Sequence, residues 1–348
     1  MTSWYSNSPA RSWRTAAPLA DTRAFHASLD GYAPTPLVHL PFVAAELGVG
    51  HVVVKQENDR FGLPAFKFLG ASHAVSRALD ESPGSTVVAA TDGNHGRAVA
   101  RMAAMLGAPA RIFVPTSITR EAQEAIAGEG AQLTVLDVPY DDVVLHARSV
   151  AESEGGILVQ DSAWPGYERI PGWIVEGYST LFLEADEQLA ALGLTPDLVT
   201  VPTGVGALAV AAVDHFRRGS GVSIVVVEPD GAACVLASLA AGEPVAVPTA
   251  LTIMNGLNCG VVSPGAWPPM RDGVDAAITV SDDAARQAVL DLRSLGVDSG
   301  PCGAASLAAA RAICASPERR RDTGLTEESV LVLLSTEGLA ANPVDLAG

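Results

Sequence analysis

Short runs of apolar, mostly β-branched residues alternate with alanine-rich stretches from about residue 86 onward. The apolar runs have the length of buried strands, and the stretches between them repeat apolar residues with helical spacing. This alternation is typical of βαβ units, in which a helix connects two parallel strands. The pattern predicts strands at residues 85–90, 110–115, 132–137, 156–161, 197–202, 222–228 and 329–335.

Polar or glycine-rich motifs directly follow four of the predicted strands. They are TDGNHG at 91–96, QDSAWPGY at 160–167, PTGVGA at 202–207 and STEG at 335–338. In a doubly wound parallel sheet, the loops at the carboxyl ends of the strands converge on one crevice. We therefore expect an α/β fold whose active site lies in that crevice.

Composition narrows the classes of protein and of partner. With 348 residues, of which 48% are hydrophobic and 18% charged, the chain is typical of a globular enzyme of two closely associated domains. Its formal charge of −17 and its scattered basic residues argue against nucleic acids and anionic membranes as partners. The N-terminus lacks the apolar segment of a signal peptide, and proline and glycine interrupt the longest apolar stretch, at 198–213. We therefore expect a cytoplasmic protein.

Cysteine and lysine usage restricts the possible chemistry. The four cysteines show neither CxxC spacing nor neighbouring histidine pairs, so the sequence predicts no metal site. The chain has only two lysines, Lys55 and Lys67, so a mechanism that needs a primary amine has two candidates. Lys55 follows the strand-like run HVVV at 51–54 and precedes the polar run QEND, and we expect it at a solvated strand end.

Lys67 lies in an apolar segment, between Phe66 and Phe68. Apolar surroundings disfavour the charged ammonium and leave the neutral amine available to form an imine with a carbonyl compound. The alternative is a lysine whose stem covers apolar surface while its amine reaches water.

The segment PTGVGALA at 202–209 links a predicted strand to an alanine-rich helix. Its glycines let the backbone approach a phosphate, and the helix N-terminus supplies amide donors. Two alternatives remain open. The segment is a glycine turn without a ligand, or it is the GxGxxA motif of a nicotinamide oxidoreductase with Glu228 as the ribose-binding acid. Several βα units precede the motif, which argues against the dinucleotide interpretation, because that motif usually opens its domain.

The polar residues of the other motifs also allow two interpretations. Asp92, Asn94 and Asp161 either line the crevice or cap helices. Ser335 and Thr336 either offer a hydroxyl to a ring nitrogen or form a turn after a strand.

Taken in order, the motifs resemble the diaminopropionate ammonia-lyase family of pyridoxal-phosphate enzymes. The matching segments are AFKFLGAS, TDGNHG, QDSAWPGY, PTGVGALA, VEPDGAAC, TIMNGLNCG and LLSTEG, which extend from about Arg60 to Gly338. The lysine and glycine-loop motifs also occur in serine and threonine dehydratases. The more specific feature is Asp92, where those dehydratases have serine, together with Asp161.

The resemblance implies a fold-type-II, tryptophan synthase beta-like architecture of two doubly wound α/β domains with the active site in the cleft between them. Residues 1–75 and 160–348 would form the larger, cofactor-binding domain, and residues 76–159 the smaller one. It also implies a homodimer. Cys234 and Cys259 lie in shared motifs, and whether they pair is left open, although two reduced thiols are expected in the cytoplasm.

By the same resemblance, Lys67 would carry pyridoxal 5'-phosphate as a Schiff base. Asn94 would contact the phenolic oxygen of the cofactor, and Ser335 or, as second choice, Thr336 would face the pyridine nitrogen. A neutral hydroxyl at that nitrogen favours elimination over transamination. The phosphate would lie on the glycine loop, at Thr203, Gly204, Val205, Gly206 and Ala207.

The activity implied is the α,β-elimination of 2,3-diaminopropionate, a small amino acid, to pyruvate and ammonia. Lys67 and Asp92 would act as bases on opposite faces of the cofactor, because the family accepts both stereoisomers. Asp161 would orient the substrate amine or take part in the proton transfer to it. Substrate contacts are expected at Thr91, Gly93, His95 and Tyr167. Alternatives are a serine or threonine dehydratase, a β-replacement enzyme of the same fold, and a non-catalytic cofactor-binding protein.

Overall fold

The computed structural model describes residues 2–17, 21–219 and 221–344, which form two β-sheets surrounded by helices. The strands are β1 (Trp4–Ser6), β2 (Leu37–His39), β3 (His51–Gln56), β4 (Val87–Ala90), β5 (Ala110–Pro115), β6 (Gln132–Leu136), β7 (Ile157–Leu158), β8 (Leu198–Pro202), β9 (Ser223–Pro229), β10 (Ala276–Val280) and β11 (Val330–Ser335).

Helices cover the faces of both sheets. They are α1 (Arg23–Ala27), α2 (Pro41–Leu47), α3 (Lys67–Glu81), α4 (Asn94–Met105), α5 (Arg120–Gly128), α6 (Tyr140–Glu154), α7 (Arg169–Gly177), α8 (Ser179–Ala191), α9 (Ala207–Phe216), α10 (Cys234–Ala241), α11 (Trp267–Gly273), α12 (Asp282–Ser294), α13 (Pro301–Cys314) and α14 (Pro317–Thr323). Within the described ranges, no helix combines the length and the apolar character needed to cross a bilayer.

The larger sheet has seven strands in the order β1-β10-β9-β8-β11-β3-β2. Its five central strands run parallel, and the two edge strands pair antiparallel to their neighbours. Every residue of β8, β9 and β11 is buried, as expected for parallel strands that carry helices on both faces. The smaller sheet has four parallel strands in the order β6-β5-β4-β7 and is built from residues 87–158.

The structure contains a strand in each of the seven predicted segments, although β7 spans only two residues of its segment. The strand-like run at 51–54 lies in β3, and the prediction omits three strands of the described residues, β1, β2 and β10. The first two are three-residue edge strands, too short for a periodic pattern. Strand β10 begins with two alanines, which read equally well as part of a helix.

One apolar core cluster extends from the larger sheet into the smaller one and includes Val199 and Val226 as well as Val87 and Ile112. Helices α3 and α7 approach very closely within it. A Cβ atom on Gly177 would lie 2.4 Å from the carbonyl oxygen of Leu69, so only glycine allows this approach. The two sheets are therefore joined by packed helices near the start of α3.

The prediction of a solvated environment for Lys55 is wrong, because the residue lies in the interior of the protein. Its side chain is fully buried, and Nζ donates to the Thr35 carbonyl at 2.7 Å and to Glu184 Oε2 at 2.7 Å. Glu184 in turn accepts hydrogen bonds from the buried Arg60 guanidinium, at 2.7 Å and 2.9 Å. Counter-charges from the distant helix α8 thus make burial of the lysine tolerable.

Candidate active site

Lys67 is the first residue of α3 and follows a loop that is fixed to the end of β11. The amide of Phe66 donates to the carbonyl oxygen of Thr336 at 3.1 Å. Lys67 Nζ then donates to Asp161 Oδ2 at 2.6 Å, and the side chains of both residues remain partly exposed. The amine of α3 and the carboxylate that follows β7 therefore meet in one cleft.

The charge of Lys67 differs from the expectation based on its apolar neighbours. Burial opposes the ammonium, as expected, but the Asp161 carboxylate outweighs this effect, and the pKa of Lys67 is raised. Burial likewise opposes the Asp161 carboxylate, yet the nearby positive charge of Lys67 lowers the pKa of Asp161. The two groups form an ion pair in the absence of a ligand.

Asp92 lies in the turn between β4 and α4, with its side chain exposed to the cleft. The hydroxyl of Thr91 accepts hydrogen bonds from the amides of Gly93 at 2.9 Å and Gly96 at 3.0 Å. Thr91 therefore caps the helix, and Asp92 is not used as a cap. Although Asp92 is exposed, the surrounding protein displaces part of its water and thereby raises the pKa of its carboxyl group. The charge of Lys67 opposes this rise, and that of Asp161 adds to it.

Two further residues of this turn have distinct environments. The Nδ2 of Asn94 donates to Glu337 Oε2 at 3.3 Å, which connects the loops after β4 and β11. His95 is buried, and its Nε2 contacts the Val159 carbonyl oxygen at 2.9 Å, so this nitrogen carries the proton. Its Nδ1 is buried without a hydrogen-bond partner among the described residues. Burial lowers the pKa of His95, which keeps the ring neutral.

The glycine loop ends at the N-terminus of α9, where no side chain caps the helix. Gly206 has a φ of +111°, and a Cβ atom there would lie 2.6 Å from Met270 Cε. A Cβ atom on Gly204 would lie 3.0 Å from Cys259 Sγ. The loop is therefore packed tightly from behind, and its uncapped amides with the following helix form a binding site suited to an anion such as phosphate.

The segment after β11 contributes buried polar groups. The Ser335 hydroxyl donates to Ser299 Oγ at 2.8 Å, so a neutral hydroxyl pair lies at the end of this strand. Glu337 accepts from Asn94 and, at 3.2 Å, from the amide of Cys302. Burial raises the pKa of Glu337, although these hydrogen bonds oppose the rise. Glu337 belongs to the STEG motif, but the sequence alone predicts no role for it.

Tyr167 is committed to the backbone of its own loop. Its hydroxyl donates to the Leu158 carbonyl at 2.7 Å and accepts from the Gln160 amide at 2.9 Å. The ring stacks on Trp164 with centroids 4.3 Å apart. These contacts fix the segment that leads directly into Asp161, so Tyr167 orders the loop that presents the carboxylate.

Sequence reasoning missed two tyrosines near the charged groups. Tyr140 begins α6 and is 38% exposed. Partial loss of surrounding water, followed by the negative charges of Asp92 and Asp161, raises the pKa of its hydroxyl. Tyr178, between α7 and α8, is fully buried behind Lys67. Neither belongs to a motif, and no signal in the sequence alone connects either to the cleft.

Glu228 does not have the role that the dinucleotide interpretation requires. Its carboxylate accepts hydrogen bonds from the amides of Val235 at 2.7 Å and Leu236 at 2.8 Å, at the start of α10. Burial raises the pKa of Glu228 to about 8. The side chain therefore caps helix α10 and does not offer the ribose-binding carboxylate that the nicotinamide oxidoreductase alternative requires.

Cys234 and Cys259 are both free thiols. Burial raises the pKa of each, to about 12 for Cys259, which lies behind the glycine loop. A high pKa keeps a thiol protonated and poorly nucleophilic at neutral pH, so both are expected to be unreactive.

Comparison with known proteins gives consistent relationships over nearly the whole chain. Residues 29–336 match the family model for pyridoxal-phosphate dependent enzymes. A diaminopropionate ammonia-lyase from Escherichia coli K12 is 36% identical, over 91% of this chain and 87% of the relative.

Solved structures extend the relationship to the fold. A crystal structure of the Escherichia coli diaminopropionate ammonia lyase, in complex with an aminoacrylate-PLP azomethine reaction intermediate, superimposes with a TM-score of 0.88 and 35% identity. That alignment covers 98% of this chain and 94% of the other. A maize serine racemase has a TM-score of 0.82 at 28% identity, with 96% and 95% covered.

Proposed function

The chain belongs to the diaminopropionate ammonia-lyase family of pyridoxal-phosphate-dependent enzymes, and we propose that it converts 2,3-diaminopropionate and water to pyruvate and two molecules of ammonia. The predicted fold type II is confirmed by the superposition on members of that fold. The observation that carries the proposed reaction is the contact between Lys67 and Asp161 in a cleft that also holds Asp92.

The residues present fit the cofactor. Lys67 offers the amine that would join its aldehyde, and the uncapped start of α9 with Gly204 and Gly206 offers the site for its phosphate. Asn94 lies at the start of α4 and contacts Glu337 in the loop after β11, and the Ser335 hydroxyl lies at the end of β11. When bound, pyridoxal phosphate supplies a conjugated ring that withdraws electrons from the α-carbon of an attached amino acid.

The two aspartates are suited to different tasks because their environments shift their pKa values in opposite directions. Asp161, with a lowered pKa, stays ionised and is suited to binding an ammonium group of the substrate. Asp92, with a raised pKa, is better matched to taking up a proton near neutral pH. Lys67 offers a second proton acceptor once its amine is neutral. A substrate that would join the cofactor through one amino group and keep a second, charged amino group accounts for the ionised Asp161.

Turnover assays with each stereoisomer test this proposal. The enzyme loaded with cofactor is incubated with D- or L-2,3-diaminopropionate, serine or threonine, and pyruvate or the corresponding oxo acid is measured. We expect diaminopropionate to be the preferred substrate. A protein that turns over serine or threonine far faster than either isomer would be a dehydratase, and the role given to the aspartate pair would be wrong.

The variant Asp92→Asn tests the assignment of proton acceptors. Removing one of two bases should lower kcat/KM for one stereoisomer by about 100-fold or more and affect the other isomer much less. The matched control is Asp283→Asn, since Asp283 is 98% exposed in the first turn of α12 and has no part in the proposed site. Equal losses for both isomers would show that Asp92 does not serve one face alone.

A further inference from the structure

The hydroxyl of Tyr178 is a buried polar group that none of the roles above uses. The residue lies at the junction of α7 and α8, and its side chain is 0% exposed. Its oxygen has no hydrogen-bond partner among the described residues. A hydroxyl buried without a partner costs free energy, because folding removes its hydrogen bonds to water. Phenylalanine would fill the same space without that cost, so the hydroxyl calls for an explanation.

The ring of Tyr178 is held against the first turn of α3, on which Lys67 stands. It packs on Phe66, the residue before Lys67, with ring centroids 4.8 Å apart. On the other side, a Cβ atom on Gly70 would lie 2.6 Å from Tyr178 Cε1, so glycine makes room for the ring. The amine of Lys67 lies 5.6 Å from the centre of the same Phe66 ring. The Tyr178 ring and the Lys67 amine thus both lie close to the ring of Phe66.

The phenol stays protonated under working conditions. Burial raises its pKa, the negative charge of Asp161 adds to this rise, and the positive charge of Lys67 opposes it. A neutral phenol can accept a hydrogen bond from an ammonium group or donate one to a neutral amine. It is therefore a suitable partner for a lysine in either protonation state.

Lys67 needs a second partner if the proposed function is right. In the structure its amine is held by Asp161 at 2.6 Å. The proposed reaction gives Asp161 to an amino group of the substrate, which leaves Lys67 without that carboxylate. We propose that the Tyr178 hydroxyl is a positioning group for Lys67, which becomes the hydrogen-bond partner of the amine when Lys67 separates from Asp161.

The variant Tyr178→Phe separates this role from packing. It keeps the ring against Phe66 and Gly70 and removes only the unpartnered oxygen. We expect the melting temperature of the full chain to be unchanged or raised, kcat for diaminopropionate to fall about tenfold or more, and KM to change much less. A lowered melting temperature, a failure to fold, or an unchanged kcat would overturn the proposal.

Tyr32→Phe is the matched control for losing a tyrosine hydroxyl. The Tyr32 hydroxyl has a partner, since it donates to Glu184 Oε1 at 2.9 Å in the buried ionic cluster of Lys55, Glu57, Arg60 and Glu184. Its removal should lower the melting temperature and leave kcat close to that of the wild type. Tyr178→Phe is thus expected to lower kcat without lowering the melting temperature, and Tyr32→Phe to lower the melting temperature without lowering kcat.

A labelling experiment tests the proposal without turnover. Lys55 is fully buried, so acylation of the cofactor-free full chain, followed by peptide mass spectrometry, reports on Lys67. In an Asp161→Asn background, where the carboxylate no longer holds the amine, adding Tyr178→Phe should lower the pKa of Lys67 measured from the pH dependence of labelling. A hydrogen bond accepted from a charged ammonium stabilises that form more strongly than one donated to the neutral amine. In the presence of Asp161 the same substitution should change this pKa little.

The pKa of Lys67 and the turnover of diaminopropionate test the positioning role and the proposed function independently. An unchanged Lys67 pKa in the double variant would exclude a hydrogen bond from Tyr178 and overturn the positioning role, whatever the enzyme turns over. A changed pKa in a protein that does not eliminate diaminopropionate would support the contact between the two residues and would show that the proposed function is wrong.

Discussion

At the scale of single residues, the ion pair of Lys67 and Asp161 determines how the stability of the cofactor-free protein depends on pH. Asp161 has a lowered pKa, so its contribution to stability is complete above the ordinary carboxyl pKa of about 4 and is lost as the pH falls through the lowered value. Lys67 has a raised pKa, so its contribution is complete below the ordinary lysine pKa of about 10 and is lost as the pH rises through the raised value.

Asp161→Asn should therefore destabilise the cofactor-free protein most at neutral pH. Asparagine leaves the partly buried ammonium without its counter-charge. In acid the carboxyl of the unfolded wild type takes up a proton, so the wild type progressively loses the stability that its ion pair supplies. We expect the difference in melting temperature between wild type and variant to shrink as the pH falls below about 4. Thermal unfolding from pH 3 to pH 8 measures it, with Asp283→Asn as the exposed control. A difference that stays constant over this range would mean that the ion pair contributes no net stability.

Sequence reasoning selected Lys67, Asp92 and Asp161 because each lies in a motif whose residue types suggest chemistry. It could not select Tyr178, because the residue lies outside every motif and its importance arises only from packing behind Lys67. It also could not predict that Asp161 would raise the pKa of Lys67, since the two residues are far apart in sequence and come together only through the fold.

At the scale of elements, the approach of α3 to α7 fixes the base of the site. Gly70 lies one turn after Lys67, and a Cβ atom there would lie 2.6 Å from Tyr178 and 2.7 Å from Ile174 Cγ2. Gly70→Ala should destabilise the protein by about 1–3 kcal/mol, because the helices must separate or the side chains leave their rotamers. Urea unfolding measures the change.

Gly172→Ala provides the control within the same helix pair. Gly172 is exposed on α7, and a Cβ atom there would meet no atom within 4 Å. Alanine should raise stability by up to about 1 kcal/mol through its higher helix propensity. Similar effects of the two substitutions would mean that the close contact of α3 with α7 is unimportant for stability.

The buried ionic cluster joins β3, α8 and the loop that leads to Lys67. Arg60 binds Glu57 at 2.6 Å and Glu184 at 2.7 Å, with all three side chains essentially buried. Arg60→Met should destabilise the protein by about 3–5 kcal/mol, because it leaves carboxylates buried with too little positive charge. Arg120→Met is the matched control, since its ion pair with Glu124 is 86% and 64% exposed and should contribute less than about 1 kcal/mol. Equal losses in urea unfolding would contradict the importance given to the cluster.

Elements were predicted well where their pattern is regular and poorly where tertiary contacts decide. The apolar runs that became β5, β8, β9 and β11 are long and β-branched, and each is largely buried. The polar residues that follow Lys55 in the sequence predict a solvent-exposed amine, but in the fold this amine binds Glu184 of α8. The residues next to Lys55 in the sequence cannot indicate that a distant helix supplies its counter-charge.

At the scale of the whole molecule, the order of motifs along the chain indicated the family before any contact was known. Most of the motifs follow a strand end or start a helix, and the fold brings the loops together through contacts such as that of Asn94 with Glu337. The division into residues 1–75 with 160–348 and residues 76–159 remains a proposal, as do the cytoplasmic location and the homodimer.

Light scattering during size-exclusion chromatography tests the homodimer. The chain has a mass of 35.7 kDa, and we expect the native particle to have twice this value. A particle with the mass of a single chain at micromolar concentration would contradict the proposed assembly.

The central claim is that the amine of Lys67 carries the cofactor. Borohydride treatment of the enzyme loaded with pyridoxal phosphate, followed by peptide mapping, tests it most directly, because reduction fixes the cofactor to the amine that holds it. We predict loss of the visible absorbance and a single modified peptide that contains Lys67, with no modification in Lys67→Ala. Modification elsewhere, or a Lys67→Ala protein that keeps both the absorbance and full activity, would contradict this account.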